Sequence, residues 1–112
     1  MKLRLLALLL LSGCASPPSP VPPPAGSAGF HRPDPQNLPD VYVWTDTCNV
    51  YVVKDGDAAL LIDLGDGSVL DHLGELGVKR VEWVLFTHHH REQCQGTPKL
   101  AGRGIRVAGP AA

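Results

Sequence analysis

The sequence predicts an α/β fold in which antiparallel strands come first and strand–helix units follow. Short runs rich in β-branched and aromatic residues, bounded by Gly, Asp or Pro, indicate the strands. Asp55-Gly56 is a tight-turn signal that joins two of them as a hairpin. Five strands are expected, at residues 41–45, 48–54, 58–64, 81–86 and 105–108. Because the later strands alternate with helices, we expect a sheet with helices packed on it.

Two short helices are expected between the later strands. The first covers residues 68–76, with Ser68 as its N-cap and Gly77 just past its end. Its apolar residues form one stripe, at Val69, Leu70, Leu73 and Leu76. The second helix begins near Thr97-Pro98, a favourable N-cap and first-turn pair. The strand at 58–64 is nearly all apolar, which predicts burial on both of its faces.

The densest chemical signal is a run of three histidines directly after the strand at 81–86. Because an extended chain sends alternate side chains to opposite sides, we expect His88, His90 and Glu92 to share one side. His89 and Arg91 then face the other side, as packing or substrate-side residues. Two imidazoles at this spacing can hold one divalent ion, and zinc favours nitrogen ligands. Glu92 is the local carboxylate that can take a proton from metal-bound water.

Two other interpretations of the histidine run are open. The thiol of Cys94 is a soft ligand for zinc and lies close by in the sequence. The histidines could also form a surface tract that scavenges metal. Their position after a buried strand and beside Glu92 favours a shaped site.

The composition of the first 39 residues predicts a targeting segment and a linker to the membrane rather than a folded core. Lys2 and Arg4 precede an apolar run at 5–11, which is too short to cross a bilayer and favours a secretory signal. Leu11-Ser12-Gly13-Cys14 resembles the lipobox of bacterial lipoproteins. The resemblance implies cleavage after residue 13 and acylation of Cys14, which anchors the protein to the membrane. An ordinary signal peptide with an incidental cysteine is the alternative.

The lipobox resemblance also implies a place in the cell envelope. No aspartate directly follows Cys14, and by that resemblance we expect the outer membrane, with the domain facing the periplasm. Residues 14–39 are the lipidated cysteine and a proline-rich linker, and residues 40–112 are the domain. The formal charge of -1 and the lack of a basic stripe argue against a nucleic-acid partner. We expect Cys48 and Cys94 to be unpaired thiols, with a disulfide as the alternative.

Two motifs resemble the metallo-β-lactamase fold superfamily. Leu61-Ile62-Asp63-Leu64-Gly65 is similar to its first motif, a buried strand that ends in aspartate and glycine. Residues 87–93, Thr-His-His-His-Arg-Glu-Gln, are similar to its metal motif, Thr-His-x-His-x-Asp-His. The resemblance covers about residues 41–108. It implies that the α/β fold is the amino-terminal half of an αββα sandwich, truncated in this chain.

The resemblance also implies roles for single residues. His88 and His90 match the histidines that hold the first zinc ion, and Glu92 stands where the family has an aspartate ligand of a second ion. Gln93 replaces a histidine of that second site, and a neutral amide is a poor zinc ligand. One zinc ion is therefore expected, and a second is left open. Asp63 is expected to hydrogen-bond the histidine loop rather than bind metal.

Two classes of function follow from this resemblance. The first is a lipid-anchored, zinc-dependent hydrolase acting on a small-molecule substrate that the sequence does not identify. The second is a non-catalytic envelope lipoprotein with a degenerate metal site. No histidine follows His90 and no aspartate follows Asp71, whereas a catalytic zinc site normally has three protein ligands. We therefore expect an incomplete product or fragment that binds zinc weakly and is inactive alone.

Overall fold

The computed structural model describes residues 29–111, which form a single six-stranded mixed sheet. The strands lie side by side in chain order. Their bounds are Phe30–His31 (β1), Val41–Thr45 (β2), Asn49–Asp55 (β3), Ala58–Ile62 (β4), Arg80–Leu85 (β5) and Arg106–Ala108 (β6). The pairs from β1 to β4 are antiparallel, and β4–β5 and β5–β6 are parallel. The expected order of antiparallel strands followed by crossover units is confirmed.

The sheet begins earlier than the sequence suggests. Phe30 pairs with Trp44 across β1 and β2, and their ring centroids lie 4.9 Å apart. Phe30 and His31, which were expected to belong to the linker, therefore pair with the sheet of the domain. Residues 1–28, which include the predicted signal segment and Cys14, lie outside the described residues.

The segment at 68–76 is not the single α-helix that the apolar stripe predicts. It forms two 3₁₀ turns, Ser68–Asp71 and Leu73–Leu76, which meet at His72. Ser68 is not the N-cap, because Gly67 occupies that position with φ +84°. The Ser68 hydroxyl instead donates to Asp46 Oδ2 at 3.2 Å.

Two short helical segments follow β5. The helix α1, Arg91–Cys94, was not expected from the sequence. The segment expected from Thr97-Pro98 is a 3₁₀ turn, Thr97–Leu100, with Gly96 as its N-cap. Only the start and the shortness of this second segment are confirmed.

The core lies on one side of the sheet, where the alternate side chains of the central strands meet the loops after β4 and β5. Its fully buried members are Trp44, Val50, Val52, Leu61, Leu64, Val69 and Val84. Full burial of an aliphatic side chain of this size contributes about 1.5–3 kcal/mol. On the other face of β4, Ala58 is buried but Leu60 and Ile62 are only half-buried, so the expected burial on both faces is confirmed only in part for the described residues.

Across residues 29–111, every helix falls short of the length and apolar character that a membrane crossing requires.

Candidate metal centre

The histidine loop, Thr87–His90, follows β5 and ends where α1 begins. His90 has φ -63° and ψ 146°, and Arg91 is the first helical residue. The alternation of side chains expected over residues 88–92 therefore stops at His90. Glu92 lies in the first turn of α1 and is exposed. The expectation that Glu92 continues an extended chain with the two histidines is corrected, because the helix begins before it.

The loop brings two of the predicted ligands together. The ring centroids of His88 and His90 lie 4.5 Å apart, and the ring planes meet at 80°. The ring of His89 also remains near, with its centroid 5.9 Å from that of His90. Among residues 29–111, no group of three or more His, Cys, Asp and Glu side chains is arranged to hold a metal ion. Glu92 and Cys94 therefore do not join the two imidazoles as a third ligand in this arrangement.

An open cavity of about 760 Å³ lies beside the loop. His88, His89 and Cys94 line one part of it. Phe86 and Pro110 contribute to a mainly apolar remainder. The histidines thus stand at the edge of a space that can admit a small molecule.

Asp63 anchors the loop from the end of β4, as the sequence predicts. Its Oδ1 accepts a hydrogen bond from the Thr87 backbone N–H at 2.9 Å, and its Oδ2 accepts one from the Thr87 hydroxyl at 2.8 Å. Thr87 Oγ1 lies 2.8 Å from His88 Nδ1. Asp63 is buried and has φ +63°, a left-handed conformation that aspartate tolerates better than most residues. The residues Asp63, Thr87 and His88 therefore form a continuous hydrogen-bonded chain, which we call the Asp63 relay.

The start of α1 is fixed by backbone contacts with the loop that follows β4. The Gln93 carbonyl accepts hydrogen bonds from the N–H groups of Leu64 at 2.9 Å and Gly65 at 3.1 Å. The Gly96 N–H donates to the Gly65 carbonyl at 2.7 Å. Thr47 Oγ1 donates to the Glu92 carbonyl at 2.8 Å. These bonds hold α1 and the residue Gly96 against the loops that follow β2 and β4, so the segment directly after the histidine loop is fixed in place.

The side chains of His88 and His90 are chemically suitable ligands for zinc, but two ligands are fewer than a catalytic zinc site requires. Two imidazoles are suitable ligands, and the Asp63 relay supplies the outer partner that ligating histidines usually have. The side-chain Oε1 of Gln93 is buried without a hydrogen-bond partner, so an acceptor atom is left open next to the loop. A catalytic zinc site normally has three protein ligands and water. The described residues supply two of those ligands.

Both described cysteines, Cys48 and Cys94, are free, as the sequence predicts. Burial raises the pKa of Cys48 to about 11, and the negative charge of Asp46 adds to that rise. Cys48 is therefore a neutral thiol at neutral pH and a poor metal ligand or nucleophile. The Cys94 thiol donates to the His90 carbonyl at 3.2 Å, so its contact with the loop is with the backbone.

Thr87 and Thr47 are site residues that were not predicted from the sequence. Thr87 stands in the metal motif, directly before His88, and this adjacency is the signal that could have identified it. The contact of Thr47 with Glu92 spans 45 residues, and no local pattern indicates it.

The chain belongs to the metallo-β-lactamase superfamily, whose family model matches residues 43–104. Members of this superfamily bind zinc. The fold is similar to that of a metallo-β-lactamase from Pseudomonas aeruginosa in its mono-zinc form, with a TM-score of 0.59 and 20% identity. That match covers 75% of this chain and 42% of the other. A metallo-β-lactamase from Cronobacter sakazakii with an HARLDQ motif matches with a TM-score of 0.54 and 22% identity, over 70% of this chain and 33% of that one. The mixed sheet is thus part of a metallo-β-lactamase-type fold, as expected.

Curated relatives share more of the sequence. The chain is 37% identical over 76 residues to a hydroxyacylglutathione hydrolase of Acidiphilium cryptum, a match that covers 67% of this chain and 28% of the relative. It is 36% identical over 73 residues to the hydroxyacylglutathione hydrolase of Stenotrophomonas maltophilia, over 63% of this chain and 26% of the relative. The chain spans about a quarter of the length of these relatives.

Proposed function

We propose that this chain supplies part of the metal centre of a zinc-dependent hydrolase, with His88 and His90 as two ligands of one ion. The approach of the two imidazole rings to 4.5 Å at the end of β5 carries this proposal. Both residues lie within the range that the family model matches. The Asp63 relay supports the first of them, as outer partners do at other zinc sites.

A zinc ion held by these residues would lower the pKa of a bound water toward about 7 and would polarise the group under attack. Glu92 is assigned the role of proton acceptor for that water. Its carboxylate is exposed in the first turn of α1, and its backbone carbonyl is held by the Thr47 hydroxyl. Because it sits on the helix, we assign it proton transfer in preference to metal binding.

The remaining ligands are proposed to come from the part of the fold that the described residues do not include. The chain corresponds to 42% of the Pseudomonas enzyme and about a quarter of the curated relatives. Activity is therefore proposed for a longer protein that contains this region. A reading frame that continues past the codon for Ala112 and encodes further histidine and aspartate residues would support this. A stop codon at that point would support the alternative below.

Hydroxyacylglutathione is the first substrate to consider. The curated relatives that act on it are 36–37% identical to this chain, whereas the two β-lactamase structures are 20% and 22% identical. A substrate pocket also draws on residues outside this region, so β-lactams, lactones and phosphodiesters stay in the comparison.

The complete gene product should contain zinc and hydrolyse hydroxyacylglutathione faster than a β-lactam. The Glu92→Gln variant should keep its zinc and lose about 10²–10⁴-fold in kcat, because general-base catalysis contributes that much. Zinc content by elemental analysis and initial rates on both substrates check this. A metal-free protein with an intact fold would overturn the hydrolase proposal, and a Glu92→Gln variant without zinc would make that residue a ligand.

The second candidate is a non-catalytic envelope lipoprotein with a degenerate metal site. The absence of a third ligand near His88 and His90 among residues 29–111 favours it. Gln93, in place of the histidine of the family motif, points the same way. The Cronobacter enzyme has a six-residue motif, HARLDQ, that also ends in an acidic residue and glutamine. Glutamine at the end of such a motif therefore occurs in a metallo-β-lactamase, and we rank the hydrolase first.

The lipid anchor is a separate proposal, based on Leu11-Ser12-Gly13-Cys14. We expect the mature protein to be acylated on Cys14 and to face the periplasm from the outer membrane. The Cys14→Ser variant should leave the membrane fraction and lose incorporation of labelled palmitate, because its attachment atom is gone. Cys48→Ser, which leaves the lipobox intact, should stay membrane-bound. Membrane retention of Cys14→Ser would refute the anchor and leave the hydrolase proposal unaffected.

A further inference from the structure

The proton positions in the Asp63 relay can be assigned from its donors and acceptors. Asp63 as a carboxylate only accepts, and it takes the backbone N–H and the hydroxyl proton of Thr87. A threonine hydroxyl has a single proton, which is thereby used. The 2.8 Å contact between Thr87 Oγ1 and His88 Nδ1 is then a hydrogen bond only if Nδ1 carries the proton.

We propose that Thr87 is a positioning residue that, with Asp63, holds neutral His88 in the tautomer protonated on Nδ1. In that tautomer the lone pair of Nε2 is free to bind a metal ion, which ties this inference to the proposed zinc site. His88 is half-buried while His89 and His90 are exposed, so it is the histidine of the loop whose orientation the protein fixes most. Asp63 has a left-handed backbone conformation while its carboxylate accepts both hydrogen bonds from Thr87.

The Asp63→Asn substitution should reverse the direction of hydrogen-bond donation from residue 63 through Thr87 to His88. The Thr87 backbone N–H requires an acceptor, so the amide oxygen takes the position of Oδ1. The amide NH₂ then faces Thr87 Oγ1 and donates to it. The Thr87 hydroxyl turns its proton toward His88 Nδ1, and the imidazole proton moves to Nε2. Asparagine also tolerates the left-handed backbone, so the local fold should be retained.

Nitrogen-15 NMR of the imidazoles in the full chain, at a pH where they are neutral, tests this directly without metal. The His88 signals are identified by their loss in His88→Gln. We expect Nδ1–H in the native chain and in Thr87→Ser, Nε2–H in Asp63→Asn, and a mixture of tautomers in Thr87→Val. Nε2–H in the native chain, or the same tautomer in all folded variants, would overturn the proposal. Should Asp63→Asn not fold, the pair Thr87→Ser and Thr87→Val decides the matter.

Zinc affinity of the complete gene product provides the second measurement. Asp63→Asn and Thr87→Val should weaken zinc binding about 10- to 100-fold, and Thr87→Ser should restore it. Equal affinity in Thr87→Val and Thr87→Ser would contradict a positioning role. The expected tautomers in a protein that binds no zinc would sustain the relay and refute the zinc hydrolase. Unchanged zinc affinity in Asp63→Asn and Thr87→Val would overturn the positioning role of Thr87 and leave the zinc hydrolase proposal standing.

Discussion

Replacing Gly96 with alanine should destabilise the fold by about 3 kcal/mol, at the upper end of the usual cost of overpacking. A Cβ at this position would lie 2.6 Å from the carbonyl carbon of Asp66 and closer still to the backbone of Gly67. Backbone atoms cannot rotate away as a flexible side chain can. The φ of Gly96 is -77°, so the cost is steric and does not come from backbone strain. The free energy of unfolding from denaturant titration checks the value.

Gly74→Ala is the matched control. Gly74 is exposed, lies in the 3₁₀ turn Leu73–Leu76, and has no atom within 4 Å of the position that an alanine Cβ would occupy. The substitution should leave stability unchanged or raise it by up to about 1 kcal/mol, because alanine loses less backbone entropy on folding. Equal stability of the two variants would show that the loops after β4 and β5 do not pack as closely as described. Those loops hold the histidine loop in place through the bond from Gly96 to Gly65.

The strands of the sheet were predictable because their signals are local. β2 and β4 begin at the expected residues, where β-branched and apolar residues are bounded by turn residues. β1 was not predictable, because Phe30 follows a proline-rich segment and gains its structure from pairing with Trp44. The two 3₁₀ turns replace the expected helix because the stripe of leucines is compatible with either form of helix. The apolar periodicity of residues 68–76 therefore predicts which side of the segment is buried, but it does not predict whether the segment is an α-helix or a 3₁₀ helix.

The candidate site was predictable in its chemistry and less so in its geometry. The spacing of two positions between His88 and His90 predicts that their side chains lie together, and their ring centroids are 4.5 Å apart. Glu92 departs from that pattern because α1 begins at Arg91, and no Pro or Gly in the histidine run signals the change. The role of Thr87 depends on Asp63, which is 24 residues away in the chain. Contacts at such separations arise from the register of the parallel pair β4–β5, which the sequence does not encode locally.

In the complete gene product, His88→Ala and His90→Ala should each weaken zinc binding by at least about a hundredfold, more than the loss expected for an outer partner. Each variant removes one of the two imidazoles that approach one another in the histidine loop. Removing both should weaken binding little further, because a pair that acts as one chelating unit is already disrupted by the first change. Competition of the protein with a chromogenic chelator at constant pH measures the affinity.

His31→Ala is the control, because His31 is exposed on β1 and takes no part in the loop. It should keep native zinc affinity, which shows that the loss in the other variants is not a general effect of removing a histidine. The isolated chain should bind zinc weakly with or without His88, since two ligands do not complete the site. Tight binding of one ion by the isolated chain would mean that the described region closes the site by itself. The proposal that the remaining ligands lie elsewhere would then be wrong, while the pairing of His88 with His90 could still be judged from the same titrations.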